Sequence, residues 1–529
     1  TDAEPTNPNQ IRPIYTAKNE GYLTIGSSID PEDWQVGVSA DTIVTRAIQQ
    51  QHLGNIILMH DAGGNREATI KALPRIIEYY KSHGYQFVSL ASLMHKTRND
   101  LMPEAKGSFN RYLESADATV FRAGYYFNRV ISAIFFLAML LSIFKILSLA
   151  VLAIRQQRKA KATAGIPLAA STPRVSIIVP GYNEEITAPK TVENLLRIDY
   201  PNFEIVFVDD GSKDNTFANI QASYGSHPKV KAFTKPNGGK ASALNYGIGF
   251  ATGEILVCID ADTVLKPDAV SLMVQYFNDP EVAAVAGNVK VGNRKNLLTR
   301  WQHIEYVTSQ NFDRRAFDQL NAIMVVPGAI GAFKRDAVQK AGMFTTDTLA
   351  EDCDLTLRLL RLGYKIRTCN QALAFTEVPE TLNMLVKQRF RWTFGIMQAF
   401  WKHHDKMFVR QHPNLGWVVL PNMLLFQLFL PLLSPLVDLT LLVSLFLPKG
   451  EILLVLYFAY FFLDLCISAL AFKFDGEKFT LRDGFNLFLQ RILYRQVLWY
   501  VLVKGYLRAL KGELASWGIL KRTGNVETI

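Results

Sequence analysis

Residues 130–154 carry a single charge, Lys145. A helix needs roughly 20 apolar residues to cross a bilayer. This run is long enough, so the chain is not expected to be soluble throughout. Arg155, Arg158, Lys159 and Lys161 follow it directly. Basic residues beside a span mark the cytoplasmic side, which puts the segment before 130 outside and the segment after it inside. The run lies too deep in the chain for a cleaved signal peptide. Further apolar blocks cover 415–447, broken by Pro421, Pro431 and Pro435, and 452–472. A mixed stretch at 485–510 contains Arg491, Arg495 and Lys504 and reads as partly interfacial. Asp438 and Asp464 fall inside apolar runs. An acid there is costly, so it faces protein or a water-filled path, or packs at a helix end. One span thus precedes residue 160, and three or four follow residue 410. The basic tail at 511–529 favours the cytoplasm and needs an even number of late spans. That parity favours a proline-broken pair within 415–447, or a last segment that does not cross.

Composition narrows the class further. Of 529 residues, 49% are hydrophobic, which excludes a disordered chain. Lys plus Arg is 57 against 47 for Asp plus Glu, a net charge of +10 that suits anionic lipid, nucleic acid or phosphate-bearing substrates. The basic residues flank the spans and form no aromatic-interleaved stripe, which disfavours nucleic acid. Cys258, Cys353, Cys369 and Cys466 show no CxxC spacing, so neither a disulfide scaffold nor a zinc ribbon is expected.

Between 173 and 410 the pattern changes. Short β-branched runs at 174–179 (RVSIIV), 204–208 (EIVFV), 230–234 and 254–259 (EILVCI) alternate with helix-like stretches. Such alternation predicts a parallel sheet covered by helices. Ligands of such sheets bind beyond the carboxyl ends of the strands. Those ends are acidic. Tyr182, Glu184 and Glu185 follow the first strand, Asp209 and Asp210 the second, and Asp260 and Asp262 the fourth. Crowded carboxylates repel one another, and a hard divalent cation relieves the repulsion. A lone D-x-D is weak evidence. At a strand end, after two other acidic strand ends, it is strong evidence for Mg²⁺ or Mn²⁺. Lys240 follows Asn237-Gly238-Gly239 at a helix start, where an anion is favoured; the spacing is not that of a Walker A loop. Glu351-Asp352-Cys353-Asp354 opens a leucine-rich helix, as dipole caps or with one carboxylate as a base. Gln388, Arg391 and Trp392 share a helix face, suited to a diphosphate and a sugar ring or to an interfacial belt.

In their order, VSIIVPGYNEE, VDDGSKDNT, GGKASALN, DADT, EDCD and QRFRW resemble the processive, membrane-embedded family 2 glycosyltransferases. These include cellulose, chitin and hyaluronan synthases, and the pattern is most similar to poly-N-acetylglucosamine synthase-like proteins. The resemblance implies a GT-A-like, doubly wound α/β domain at 173–410, inserted between transmembrane helices (129–154, and transmembrane or interfacial helices at 415–510). It implies nucleotide binding by Tyr182, Glu184, Asp209, Asp210, Lys240 and Asp260, with Lys240 at the diphosphate. It implies metal binding by Asp260 and Asp262, with Mg²⁺ or Mn²⁺ as cofactor. Asp352 becomes the catalytic base, and Gln388, Arg391 and Trp392 the acceptor and diphosphate end. Ala350 stands where the family usually has Thr. Trp517-Gly518 and Lys521-Arg522-Thr523-Gly524 resemble a tail segment that lies by the active site.

The implied reaction is inverting polymerisation of a UDP-sugar, most similar to UDP-N-acetylglucosamine use, into a β-linked polysaccharide exported through the membrane helices. Partners are the UDP-sugar donor, the growing polysaccharide, membrane lipid and accessory export subunits. The implied location is the cytoplasmic membrane, with the transferase domain inside. The alternatives are non-processive transfer to a lipid carrier and an inactive export scaffold.

Residues 1–105 carry a second resemblance. Asp30-Pro31-Glu32-Asp33-Trp34 and 56–61 (IILMHD) are similar to the later motifs of polysaccharide deacetylases, with Asp33 and His60 as the remnant of that site. No His precedes His52, so the paired metal-binding histidines of that family are missing and no deacetylation is expected. The first residue is Thr, not Met, and the expectation is a piece of a longer protein that begins within a deacetylase domain.

Overall fold

The computed structural model describes residues 14, 17, 22–101, 108–163, 172–444 and 451–511. The tail residues Trp517, Gly518, Lys521, Arg522, Thr523 and Gly524 lie outside the described residues. The chain divides into two units, Thr1–Tyr126 and Phe127–Ile529.

In the first unit, helices Ala40–Gln49 and Glu67–Ser82 pack face to face. Their apolar residues recur at helical spacing, so Ile43, Val44 and Ala47 meet Ala72, Ile76 and Tyr80 in one small core. Ser39 caps the first helix through the Thr42 N–H. Ile29 and Ile57 form a parallel bridge beside it.

The second unit is built on one sheet of eight strands: β1 (Val175–Gly181), β2 (Phe203–Asp209), β3 (Val230–Thr234), β4 (Ile255–Cys258), β5 (Val264–Leu265), β6 (Val282–Val291), β7 (Gly331–Lys334) and β8 (Lys365–Thr376). Their order is β3-β2-β1-β4-β7-β6-β8-β5. The first four strands run parallel, as expected from their near-continuous apolar character. β7 then pairs antiparallel with both β4 and β6. The sheet is therefore mixed rather than parallel throughout. The order reverses between β1 and β4, which opens a crevice at the carboxyl ends of these strands.

Alternation along the strands fills a core on each face. Ile177, Val179, Ile205 and Phe207 point to one side. Ile178, Leu256 and Cys258 point to the other. That second core also takes in Leu149 and Ala153 from the apolar helix that ends at Thr163 (Ser108–Thr163), together with Leu415, Val419 and Phe472. The sheet and the inner ends of the apolar helices thus share one packed interior.

Among the described residues, three helices are long and apolar enough to cross a membrane: Ala133–Ala160, Leu415–Leu439 and Leu453–Phe474. The stretch 415–444 is one uninterrupted helical run, not the proline-broken pair favoured from sequence. Its hydrogen bonding slips to wider and tighter registers around Pro421 and Pro431, over Leu415–Val419, Met423–Phe429 and Leu430–Leu433. Such slips absorb the N–H that proline lacks without ending the helix. The last segment, Leu481–Leu489 continuing to Arg495–Leu510, does not reach the length and apolarity of a span among the described residues. Its arginines answer the two acids noted in the sequence. Arg491 pairs with Asp464 at 2.5 Å, and Arg495 pairs with Asp438. Both acids are therefore packed against partners, as a carboxylate in an apolar setting requires.

Candidate active site

The loops after β1 and β2 are stapled to each other. Asn183 donates its N–H to Ser212 Oγ at 2.9 Å, and the Lys213 N–H returns a bond to Asn183 Oδ1 at 2.8 Å. Asn183 reaches this geometry at φ 56°, a left-handed conformation that Asn tolerates. Glu184 is fixed by its N–H to Thr216 Oγ1 at 2.8 Å and by Thr187 Oγ1, which donates to Glu184 Oε2 at 2.5 Å. Asp210 organises the next loop. Its carboxylate takes Lys235 Nζ at 2.6 Å and the N–H groups of Gly238 and Gly239 at 3.0 and 2.7 Å. Gly239 sits at φ 84° and delivers the chain into the helix Lys240–Phe250, which only glycine does without strain.

These loops surround a cavity of 1060 Å³ whose wall includes Tyr182, Glu184, Asp210, Lys240, Asp260, Asp262, Asp352, Gln388, Arg391 and Trp392. Ten residues named from sequence thus meet at one place. Asp209 does not line it. Its carboxylate accepts from Thr234 Oγ1 at 2.7 Å and from the Ser212 N–H at 3.3 Å, so it ties β2 to β3. Asp33 and His60 belong to the first unit. There Asp33 is 2% exposed and lies 2.8 Å from His60 Nδ1, with Thr69 Oγ1 donating at 2.9 Å. Burial opposes the Asp33 charge, but the bonds from His60 and Thr69 prevail and hold its pKa below the usual carboxylate value.

The acids of the helix Glu351–Arg361 divide their work by angle around the axis. Asp354 turns inward to Arg358 at 2.8 Å and His403 at 3.0 Å. Glu351 turns to Lys240 Nζ at 3.5 Å. Asp352 faces the cavity, and its Oδ2 accepts the Gly328 N–H at 3.3 Å. Dipole capping alone does not account for this arrangement. Burial raises the pKa of both Glu351 and Asp352 against the attraction of Lys240. Lys240 also pairs with Asp260. Burial opposes the Lys240 charge, but Asp260, Glu351 and Asp352 together raise its pKa well above that of an ordinary lysine.

Three residues of this site were not legible as such. Glu351 is one of three acids that open its helix, and the sequence does not single it out from Asp352 and Asp354. Gly328 has only the signal of Pro327-Gly328, yet any side chain there would collide with the Lys240 ammonium. Arg314 is buried in the cavity wall, donating to the Gly287 carbonyl at 3.0 Å, and nothing in its sequence context distinguishes it from a surface arginine.

Among the described residues, no three His, Cys, Asp or Glu side chains converge to hold a metal by themselves. Asp260 and Asp262 nevertheless stand together on the cavity wall, with Asp262 only 4% exposed. A donor set made of carboxylate oxygen fits a hard cation that takes its remaining ligands from phosphate and water.

A mixed sheet with this order, and a cavity at its acidic switch point, define a GT-A-like fold. A family model, Glycosyl transferase family 2, matches residues 176–342. That stretch holds β1, β2, β3, β4, β5, β6 and β7 and is similar to the family's domain. It is 35% identical over 232 residues to the poly-beta-1,6-N-acetyl-D-glucosamine synthase of Staphylococcus epidermidis, which covers 43% of this chain and 56% of that protein. The synthase of the same name from Staphylococcus aureus (strain COL) is 35% identical over 222 residues, covering 42% and 54%. The chain thus spans little more than half the length of these relatives. Among solved structures, a mannosyltransferase from Pyrobaculum calidifontis in complex with GDP-Man and Mn²⁺ aligns at a TM-score of 0.45 and 22% identity, covering 69% of this chain and 100% of that chain.

Proposed function

We propose that this chain is a membrane-embedded, processive synthase that polymerises N-acetylglucosamine from its UDP-sugar into a β-linked polysaccharide. The observation that carries the reading is the single cavity. Its wall takes in Asp352 and the Asp260–Asp262 pair together with Pro431 and Tyr460 of the apolar helices and Trp499 of the last segment. The choice of sugar is supported by the relatives, which are poly-beta-1,6-N-acetyl-D-glucosamine synthases.

In this reading Tyr182, Glu184 and Asp210 bind the uridine part of the donor. Lys240 takes the diphosphate. Asp260 and Asp262 hold Mg²⁺ or Mn²⁺, which when bound offsets charge on the leaving UDP. Asp352 removes the proton from the acceptor hydroxyl. Its raised pKa makes it a stronger base than an ordinary aspartate. One base and no nucleophile give a single displacement with inversion, so an α-linked donor yields a β-linked product. Gln388, Arg391 and Trp392 meet the acceptor and the diphosphate. The growing chain leaves along the cavity between the helices. The location is the cytoplasmic membrane, with several spans, the transferase domain inside and the first unit outside.

The test is incubation of membranes with Mg²⁺ or Mn²⁺ and labelled UDP-N-acetylglucosamine. Wild-type chain is expected to form polymer. Asp352→Asn is expected to lose at least about 100-fold in rate while still binding UDP. Full activity in that variant, or no incorporation by the wild type, refutes the reading.

A further inference from the structure

Arg389 stands between the residues that the family pattern picks out, and the structure gives it a setting of its own. Its Nη1 pairs with Glu305 Oε1 at 2.5 Å. Glu305 Oε2 accepts from the Tyr494 hydroxyl at 2.7 Å. Tyr494 is itself 1% exposed and packs on Trp301 with ring centres 5.8 Å apart. One carboxylate thereby joins the helix Leu297–Glu305, the helix Leu382–His403 and the segment Gln490–Tyr494. The Arg389 guanidinium lies 4.4 Å from the centre of the Trp392 ring. Arg389, Glu305 and Trp392 all line the cavity.

Two facts point to a ligand. Arg389 Nε and Nη2 are buried and have no hydrogen-bond partner among the described residues. A buried donor left unmet is costly, so an acceptor is expected there when the site is filled. The Arg389–Glu305 pair is also neutral as a unit. A neutral pair attracts a phosphate weakly and suits the oxygens of an uncharged sugar.

We propose that Arg389, set by Glu305 and Tyr494, is a further acceptor-binding residue whose Nε and Nη2, uncovered by a small side-chain shift when the acceptor enters, donate to oxygens of the neutral sugar lying against Trp392. This rests on the synthase reading above. Glu305 and Tyr494 are positioning residues that act through Arg389.

The test measures calorimetric affinity of the purified chain for UDP, and then for an N-acetylglucosamine oligosaccharide with UDP present. Product length from UDP-N-acetylglucosamine is read alongside. Arg389→Lys keeps the charge and loses the fork. Its oligosaccharide affinity is expected to fall about tenfold and its products to shorten, with UDP affinity within about twofold of wild type. Glu305→Gln is expected to move the same way. Tyr494→Phe, which loses only the hydroxyl, moves less. UDP binding shows that each variant is folded, and if Arg389→Lys loses it, the other two decide. A wild type that polymerises while Glu305→Gln and Arg389→Lys bind oligosaccharide normally overturns the inference. So does an equal fall in UDP affinity across the variants, or a polymerising wild type that binds no oligosaccharide. A wild type that forms no polymer refutes the synthase reading instead.

Discussion

At the scale of single residues, the environment of a carboxylate decides what it does. Asp352 and Asp354 are two positions apart, yet burial raises the first pKa while His403 and Arg358 overcome burial and lower the second. A base must be ionised to work, so activity is lost as pH falls through the raised Asp352 value. The acid limb of kcat/KM, which reports the free enzyme, is therefore expected above the ordinary aspartate range, and a pH–rate profile at donor well below saturation checks it. Glu204 shows the opposite case. It is 2% exposed, but bonds from Lys231, Ser176 and Thr252 outweigh burial and hold its pKa at about 2. A depressed carboxylate stabilises the fold above its unfolded value of 4.5, and that contribution is lost as pH falls through about 2. Glu204→Gln is expected to lower stability at neutral pH by on the order of 3 kcal/mol, read as a fall in Tm. The acids themselves were legible, because each group directly follows a continuous apolar run in the chain. Their division of labour was not, because it depends on side chains far away in sequence.

At the scale of elements, the parallel strands were legible because buried parallel strands are continuous apolar runs. The antiparallel β7 (GAFK) is too short and mixed to announce itself. The helix 415–444 shows the limit of reading proline as a break, since neighbouring packing lets the hydrogen bonds change register instead. The last segment is tied to the apolar helices by the Arg491–Asp464 and Arg495–Asp438 pairs. Removing one member of such a pair strands the other. Asp464→Leu is expected to cost about 3–5 kcal/mol, and Asp464→Leu with Arg491→Leu to recover most of it. Thermal melting in detergent separates the two outcomes.

At the scale of the whole second unit, the sheet is joined to the end of the helix Glu451–Phe474 by a buried polar cluster. Lys290 pairs with Asp475 and, at 3.1 Å, with Glu477. Arg294 and His303 also reach Glu477, at 3.0 and 3.1 Å. Asn288 donates to Asp475 at 3.1 Å. Asp475 has no exposed side-chain surface, so it depends on Lys290 for its charge balance. Lys290→Met is expected to destabilise the unit by about 3–5 kcal/mol and to raise proteolysis around 475–480 without weakening UDP binding. Unchanged Tm and cleavage would contradict that role.

By itself the sequence determined the apolar segments, the parallel half of the sheet and the acids at its edge. Each of these rests on local periodicity or on residue types next to one another in the chain. Only the tertiary structure decided that Asp209 bonds to Thr234 instead of lining the cavity, that Glu351 and Gly328 attend Lys240, and that Glu305 reaches across to Arg389 and Tyr494. Those contacts join residues tens to hundreds of positions apart, and no local pattern encodes which distant partner a buried charge will meet.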